Sequence, residues 1–174
     1  KRQAKSLVVG VSGGIDSALT STLASMTGLR TIALSMPIST NPNNSSLSST
    51  HGKWLEDRFT NTTFMTIDLT STYLEFNSLL TNSDQGSDLG FANTKSRLRM
   101  VTLYQVAAAQ SGLVVGTGNK VEDFGVGFYT KYGDGGVDIS PIADLMKSEV
   151  VSMATTLGVD AVSYTHLRAH ETKR

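Results

Sequence analysis

Short apolar runs recur along the chain and predict four β-strands. Each run is bounded by polar residues, glycine or proline, a pattern typical of strands that are buried on both faces of a parallel sheet. The predicted strands are Ser6–Val11, Thr31–Met36, Thr63–Leu69 and Leu113–Gly116.

Segments whose apolar residues lie three or four positions apart separate these runs and predict helices. The most regular segment is Asn93–Gln110, for which the pattern predicts Asn93 as the N-cap and Gly112 as the stop. The polar residues 39–49 predict a mobile loop. The other predicted helices are Ala18–Met26, Leu47–Phe59, Tyr73–Leu80 and Leu145–Leu157. Because strands and helices alternate, we expect an α/β fold, a parallel twisted sheet with helices on both faces.

The composition agrees with one folded domain and excludes several classes of partner. The 174 residues are 39% hydrophobic and only 17% charged, which is enough apolar material for a single core. Fifteen basic residues balance fifteen acidic ones, so there is no positive field to hold a nucleic acid. No apolar run approaches the roughly 20 residues of a membrane-spanning helix. We expect a cytoplasmic protein with neither nucleic acid nor membrane as partner.

The absence of cysteine narrows the chemistry further. With Cys 0, the chain holds no disulfide, thiolate metal site or cysteine nucleophile.

The last residues, 161–174, differ from the rest in charge and periodicity and resemble translated sequencing-adapter or cloning sequence. We therefore expect the functional domain to span residues 1–160; the alternative for the tail is a solvated helix.

The loop after the first strand is a candidate phosphate site. Residues 12–17 read Ser-Gly-Gly-Ile-Asp-Ser between a strand and a helix, where backbone N–H groups and the positive helix end converge. Asp16 would be repelled by phosphate unless a cation lay between them, so we expect it to hold Mg²⁺. An ordinary capped turn is the structural alternative.

Three segments in the second half carry further candidate chemistry. Residues 93–100 place basic side chains on what we expect to be the first turns of a helix, where an anionic partner would offset the helix dipole. Residues 116–123 follow a strand, and Thr117 and Glu122 would face a nucleotide. Residues 128–138 contain three glycines and two carboxylates and predict a lid. The alternatives are a solvated basic face for the first segment and a glycine-rich hairpin for the last.

The first loop resembles the pyrophosphate loop of the adenylating ATP pyrophosphatases, and neither Gly-x-Gly-x-x-Gly nor Gly-Lys-Ser/Thr is present. Together with the segments at 93–100, 116–123 and 128–141, it closely resembles ammonia-dependent NAD synthetases from about Ser6 to Gly158. The resemblance implies the Rossmann-like adenine nucleotide alpha hydrolase fold. It also implies that ATP adenylates the nicotinate carboxylate of deamido-NAD and that ammonia then displaces AMP to give NAD.

The same resemblance implies roles for individual residues. The catalytic candidates are Asp134, which would bind ammonium and take its proton, and Lys147, which would neutralise the leaving pyrophosphate. Mg²⁺ would be held by Asp16 and Glu122, and deamido-NAD by Arg97, Lys131 and Asp138. The residues implied for ATP are Gly10, Ser12, Gly13, Gly14, Asp16, Ser17, Thr117 and Lys147.

The resemblance leaves other readings open. Members of this family have an N-terminal helical segment and a basic C-terminal region that are missing here, so we expect an internal fragment of a homodimeric enzyme. A tRNA-modifying adenylase uses the same loop, but its common sulfur-transfer forms need cysteine. A glutamine-dependent synthetase would need a glutaminase domain with a cysteine nucleophile. This sequence has no cysteine, so we expect free ammonia to be the nitrogen source. A nucleotide-binding sensor without turnover is the alternative from a different class.

Overall fold

A four-stranded parallel sheet forms the centre of the protein. The computed structural model describes residues 3–38 and 46–159. Its strands are β1 (Ser6–Gly10), β2 (Arg30–Ser35), β3 (Thr62–Thr66) and β4 (Gly112–Val115). They lie in the order β3-β2-β1-β4, and all neighbouring pairs are parallel. The predicted parallel sheet is therefore confirmed.

In residues 3–38 and 46–159, five helices cover the two faces of the sheet; the first four lie between strands and the fifth follows β4. They are α1 (Ile15–Met26), α2 (Ser46–Arg58), α3 (Thr70–Thr81), α4 (Asp88–Ala109) and α5 (Lys147–Thr156). A short π-helical turn, Val121–Val126, follows β4. In the described residues no helix is long and apolar enough to cross a membrane.

The alternation of side chains along each strand divides the core into two layers. On one face, Val8, Leu34 and Val114 pack with Met100 and Leu103 of α4. On the opposite face, the next residues along β1, β2 and β4 pack with α1 and α2, as in the cluster of Leu7, Val9, Ala24 and Val115. Helix α5 packs on α1 through Val150 and Ala154, both fully buried.

The long helix α4 begins earlier than the sequence predicts. Its N-cap is Ser87, whose Oγ accepts a hydrogen bond from Gly90 N at 3.1 Å, and not Asn93. Ser87 has the side-chain acceptor favoured at an N-cap, and Asp88 adds a negative charge in the first turn. Asn93 therefore lies inside the helix, where its Oδ1 accepts a hydrogen bond from Thr130 Oγ1 at 2.9 Å.

Two other predicted boundaries also differ from the structure. The third strand ends at Thr66, although the apolar pattern continues to Leu69. Leu69 is buried against the α4 side of the core and its N–H bonds to Pro37 O at 2.9 Å, so the pattern reports burial beyond the strand end. The predicted loop 39–49 lies largely outside the described residues, and from Ser46 onward the chain is helical.

The strand order identifies where a ligand site is expected. The chain adds β2 and β3 on one side of β1 and then crosses to place β4 on the other side. At such a switch point the connections leaving the two central strands diverge, which opens a crevice outside their carboxyl ends. The residues that follow β1 and β4 are the loop 11–14 and the segment 116–120.

Candidate active site

The loop after β1 leads directly into the positive end of α1. Gly14 is the N-cap of this helix and, in the described part of the chain, no side chain caps the first turn. Ser17 Oγ donates to Gly14 O at 2.8 Å and accepts from Ser12 N at 3.2 Å. The two serine hydroxyls are therefore held together beside the open N–H groups of α1, an arrangement suited to an anion.

Gly13 has a packing role that sequence reasoning did not give it. Its φ of +90° is in the left-handed region, and a Cβ there would lie 2.7 Å from Leu47 Cβ at the start of α2. The glycine is needed for the close approach of α2, while its predicted role at the ATP phosphates stays a prediction.

Three charged side chains meet at one end of the crevice. The Lys147 ammonium, on the first residue of α5, contacts Asp16 Oδ2 and lies 3.4 Å from Glu122 Oε1. The Asp16 side chain is 17% exposed, against 34% for Lys147 and 46% for Glu122. The structure thus brings together three residues that are far apart in sequence and were each singled out as candidates.

Asn119 joins the same cluster, and sequence reasoning did not select it. It is fully buried, and its Nδ2 donates to Asp16 Oδ1 at 2.9 Å. Its Oδ1 accepts from the backbone N–H groups of Val121 at 3.0 Å and Glu122 at 3.1 Å. The amide therefore links the first turn of α1 to the π-helical turn that carries Glu122.

The donor set of this cluster suits Mg²⁺. Mg²⁺ prefers oxygen ligands and commonly takes one or two carboxylates, with phosphate and water oxygens completing its shell. Within residues 3–38 and 46–159 no group of three or more His, Cys, Asp or Glu side chains is placed to hold a metal. Asp16 and Glu122 would thus supply two ligands and leave the rest to a bound phosphate.

A cavity of about 530 Å³ lies beyond the carboxyl ends of β1 and β4. Its wall includes Ser12 from the first loop, Thr117 from the segment after β4, and Asp134. The other lining residues come from the ends of β1, β2 and β4 and from α2, α4 and the connection before Ile139: Gly10, Val11, Ser35, Met36, Pro37, Ile38, Ser48, Ser96, Arg99, Met100, Leu103, Val115, Gly116 and Val137. Three of the candidate ATP residues, Gly10, Ser12 and Thr117, therefore share this cavity with Asp134, the candidate ammonium residue. The lining does not include Gly13, Gly14, Asp16, Ser17 or Lys147.

Arg99 is a cavity residue that the sequence prediction missed. Its Nε donates to Met36 O at 2.9 Å, and burial lowers the pKa of its guanidinium. Arg97 lies two positions earlier, on a different side of the helix, and its Nε donates to Lys131 O at 3.1 Å instead. Residues two positions apart point to different sides of an α-helix, so the sequence alone shows that Arg97 and Arg99 cannot face the same site. Which of the two faces the cavity depends on how α4 packs on the sheet.

Asp134 is fixed by neighbours on α4 and in its own loop. Its Oδ1 accepts from Ser96 Oγ at 2.6 Å and from Thr130 N at 3.0 Å, while its own N–H donates to Ser96 Oγ at 3.0 Å. Nearby, burial raises the pKa of the Asp123 carboxyl, with smaller contributions from the charges of Asp134 and Glu122. The region around Asp134 is therefore rich in negative charge.

The loop 128–138 is packed along α4, and this changes the explanation of its glycines. A Cβ on Gly133 would lie 2.3 Å from Ser96 Oγ, and one on Gly135 would lie 2.5 Å from the Tyr129 ring. These glycines permit close packing.

The prediction of basic residues on the first turns of a helix is wrong, because α4 begins at Asp88 and Arg97 is in its third turn. The helix dipole at the N-terminus does not act on them.

Asp138 lies apart from the charged cluster. Its Oδ1 accepts from Tyr104 OH at 3.0 Å and its Oδ2 from Val114 N at 2.8 Å, so both oxygens are engaged. The pKa of Tyr104 is raised by burial and then by its bond to this carboxylate. The three residues predicted to bind deamido-NAD thus form two groups, Arg97 with Lys131 and Asp138 with β4.

Comparison with known proteins agrees with this architecture. The chain matches the family model described as NAD synthase over residues 1–166. It is 41% identical over 157 residues to the NH(3)-dependent NAD(+) synthetase of Mycoplasmopsis pulmonis, which covers 90% of this chain and 58% of that protein. The chain thus spans about three fifths of the curated relatives that it matches.

Two solved structures confirm the predicted adenine nucleotide alpha hydrolase fold. NMN synthetase from Francisella tularensis is 34% identical with a TM-score of 0.83, covering 93% of this chain and 65% of that one. The NH3-dependent NAD synthetase of Campylobacter jejuni, in complex with the nitrate ion, is 29% identical with a TM-score of 0.81, covering 99% and 78%. The chain therefore belongs to the NAD synthase family.

Proposed function

We propose that the protein of which this chain is a part is an ammonia-dependent NAD synthetase. The observation that carries this proposal is the cavity lined by Ser12, Thr117 and Asp134. The cluster of Asp16, Glu122 and Lys147 lies on the first turn of α1, the π-helical turn and the first turn of α5. An enzyme that adenylates a carboxylate and then amidates it needs a triphosphate site beside an ammonium site. A cavity shared by both sets of residues meets this requirement.

In the first half-reaction, an oxygen of the nicotinate carboxylate attacks the α-phosphorus of ATP, and pyrophosphate leaves. The open N–H groups of α1 and the hydroxyls of Ser12 and Ser17 bind the phosphates, and Lys147 neutralises charge on the departing pyrophosphate. Asp16 and Glu122 are the proposed ligands of Mg²⁺, which when bound supplies further positive charge at the same oxygens.

In the second half-reaction, ammonia attacks the carbonyl carbon of the acyl adenylate, the bond to AMP breaks and the amide forms. Asp134 is proposed to bind ammonium and to accept the proton that must leave before nitrogen can attack. Ser96 and Thr130 hold Oδ1 of this carboxylate, which leaves Oδ2 to face the cation. The negative surroundings created by Asp123 favour a cation at this point.

The dinucleotide is proposed to lie along α4. Arg97 and Lys131 are exposed and adjacent, which supports a role in binding its phosphates. Asp138 is proposed to act through Tyr104 and β4, because both of its oxygens already accept hydrogen bonds. Its predicted contact with deamido-NAD stays a prediction.

The proposed assembly is a homodimer located in the cytoplasm, where its substrate ATP is found. Large apolar side chains on α4 and the segment after β4 support a partner surface, because their exposure to water is unfavourable. They include Val101, 67% exposed, Phe124, 75% exposed, and Phe128, 79% exposed.

An end-product assay tests the proposed function. The protein is incubated with ATP, Mg²⁺, an ammonium salt and deamido-NAD, and AMP, pyrophosphate and NAD are quantified together. We expect equal amounts of the three products. Nicotinate mononucleotide replaces deamido-NAD in a parallel reaction, because a relative of known structure is an NMN synthetase. ATP binding without any product would instead support a sensor, and turnover only with tRNA would support a base-modifying adenylase.

A further inference from the structure

Asn119 is the one fully buried polar side chain that joins the two proposed metal ligands in the described part of the chain. It is 0% exposed, whereas Asp16 and Glu122 are both in contact with solvent. Asp16 is on α1 after β1, and Glu122 is on the π-helical turn after β4. The two carboxylates therefore approach each other only through tertiary structure.

The hydrogen bonds of Asn119 act on both partners at once. Its Nδ2 donates to Asp16 Oδ1 at 2.9 Å, and its Oδ1 accepts from Val121 N at 3.0 Å and Glu122 N at 3.1 Å. A primary amide has a donor end and an acceptor end in one plane, so fixing one end fixes the direction of the other. The carboxylate and the backbone of the turn are thus held in a defined relation.

Lys147 also touches both carboxylates, but it is a weaker constraint on their geometry. Its side chain is 34% exposed and has several rotatable bonds, and its ammonium is a point charge without a preferred plane. Its contacts would also be exchanged for phosphate oxygens when ATP binds. The three hydrogen bonds of Asn119 are all made to groups of the protein, so we expect them to persist when ATP binds.

We propose that Asn119 is a positioning residue that sets the separation and orientation of Asp16 and Glu122 for the magnesium of bound Mg·ATP. The inference rests on the proposed function, because it assumes that these carboxylates hold the metal. Partners that orient a metal ligand without touching the metal typically change metal affinity by about 10- to 100-fold when removed. Asn119 is expected to lie in that range.

Two substitutions separate the two ends of the amide. Asn119→Asp keeps an acceptor for Val121 N and Glu122 N but replaces the donor to Asp16 with a repelling oxygen. Asn119→Ala removes both ends. The dissociation constants of ATP are measured by calorimetry with the full chain, first with Mn²⁺ and then in EDTA.

We expect both variants to weaken Mn²⁺-dependent ATP binding by roughly 10-fold or more, with ATP binding in EDTA within about twofold of wild type. A residue with only a structural role would weaken the two affinities together, and that result would overturn the inference. Unchanged Mn²⁺-dependent binding in both variants would also overturn it. If wild type itself shows no metal-dependent binding, the proposed function fails.

A swapped pair and a distant control complete the test. Asp16→Asn combined with Asn119→Asp restores a donor and an acceptor between the two positions, so its thermal midpoint should exceed that of Asn119→Asp alone, while Mn²⁺ dependence stays lost. An unchanged midpoint would contradict the hydrogen bond on which the inference depends. Asn61→Ala is the matched control. Its Nδ2 bonds to Ser25 O at 2.9 Å and Leu29 O at 2.7 Å at the opposite edge of the sheet, so both ATP affinities should be unchanged.

Discussion

Asp134 is the residue for which geometry and proposed chemistry are most directly linked. Its side chain lines the cavity, and one oxygen is held by Ser96 and Thr130. Those bonds restrict the rotation of the carboxylate and orient the remaining oxygen. A positioned base of this kind contributes typically 10²- to 10⁴-fold to a rate.

Asp134→Asn is predicted to slow amide formation by about 10²-fold or more and adenylation far less. The amide is nearly isosteric but cannot accept a proton from ammonium, and ammonia enters only in the second half-reaction. ATP–pyrophosphate exchange reports adenylation, and NAD production reports both steps. An equal loss in the two assays would mean that Asp134 supports the ATP site or the fold.

Asp123 is predicted to destabilise the protein at neutral pH. Burial, followed by the charges of Asp134 and Glu122, raises its pKa above the ordinary 3.8, so its contribution to stability falls as pH rises through the raised pKa. Asp123→Asn should therefore be more stable than wild type at pH 7, with the difference shrinking towards pH 4. Urea denaturation at both pH values measures this.

Asp68 provides the control of opposite sign. Hydrogen bonds from Thr70 lower the pKa of its carboxyl, so it stabilises the fold above its unfolded pKa and that contribution is lost as pH falls through the lowered value. Asp68→Asn should be less stable than wild type at pH 7. If both variants shifted stability in the same direction, the electrostatic explanation would be wrong.

At the scale of the elements, the contact between the loop 128–138 and α4 determines where Asp134 lies. Gly133 is buried against Ser96, and Asp134 and Thr130 bond to residues of the same helix. The loop therefore obtains its position from α4, and α4 supplies Arg97 and Arg99 to the same region. Moving the loop would displace the ammonium candidate from the cavity.

Gly133→Ala is predicted to displace this loop. Its Cβ would lie 2.3 Å from Ser96 Oγ and 3.0 Å from Thr130 Cβ, and such overpacking costs about 1–3 kcal/mol. We expect the KM for deamido-NAD to rise while the affinity for ATP changes little. Adding Ser96→Gly makes room for the new methyl group but also removes the Asp134 bond, so it should restore stability only in part. Wild-type KM in the single variant would show that the contact is not needed.

At the scale of the whole molecule, large apolar side chains are exposed along a groove between α4 and the loop 128–138. Val101 and Tyr132, 67% and 71% exposed, border a groove that also contains Met100, Tyr104 and Gly136. This groove lies beside the loop 128–138, so a second copy seated there would also cover the proposed dinucleotide residues.

Val101→Glu is predicted to weaken the proposed homodimer by at least about tenfold, since burying a carboxylate without a partner costs more than the 1.4 kcal/mol that a tenfold change requires. Sedimentation velocity over a range of concentrations measures the change. Met26→Glu is the matched control, because Met26 is 55% exposed but belongs to α1 on the other face of the sheet. Equal sedimentation of wild type and Val101→Glu would exclude this surface as the interface.

The sequence by itself determined the elements and the chemistry of single loops. Continuous apolar runs and helical spacing depend on local periodicity, so the four strands and five helices of the described residues could be predicted near their observed positions. Position along the chain also singled out candidate site residues. The serine–glycine loop with Asp16 follows the first predicted strand, and Thr117 follows the fourth. Boundaries such as Ser87 were missed because a cap depends on one hydrogen bond and not on a pattern.

Only the tertiary structure decided which of these residues meet. Asp16 and Lys147 are separated by 131 positions, and Asp16 and Asn119 by 103. They come together because the strand order brings the carboxyl ends of β1 and β4 side by side, a long-range pairing that no local pattern contains. The same pairing buries Asn119 between Asp16 and the turn that carries Glu122. The packing of α4 on the sheet places Arg99, rather than Arg97, at the cavity. Burial and hydrogen bonding between distant segments are properties of the folded chain, and they decided the site.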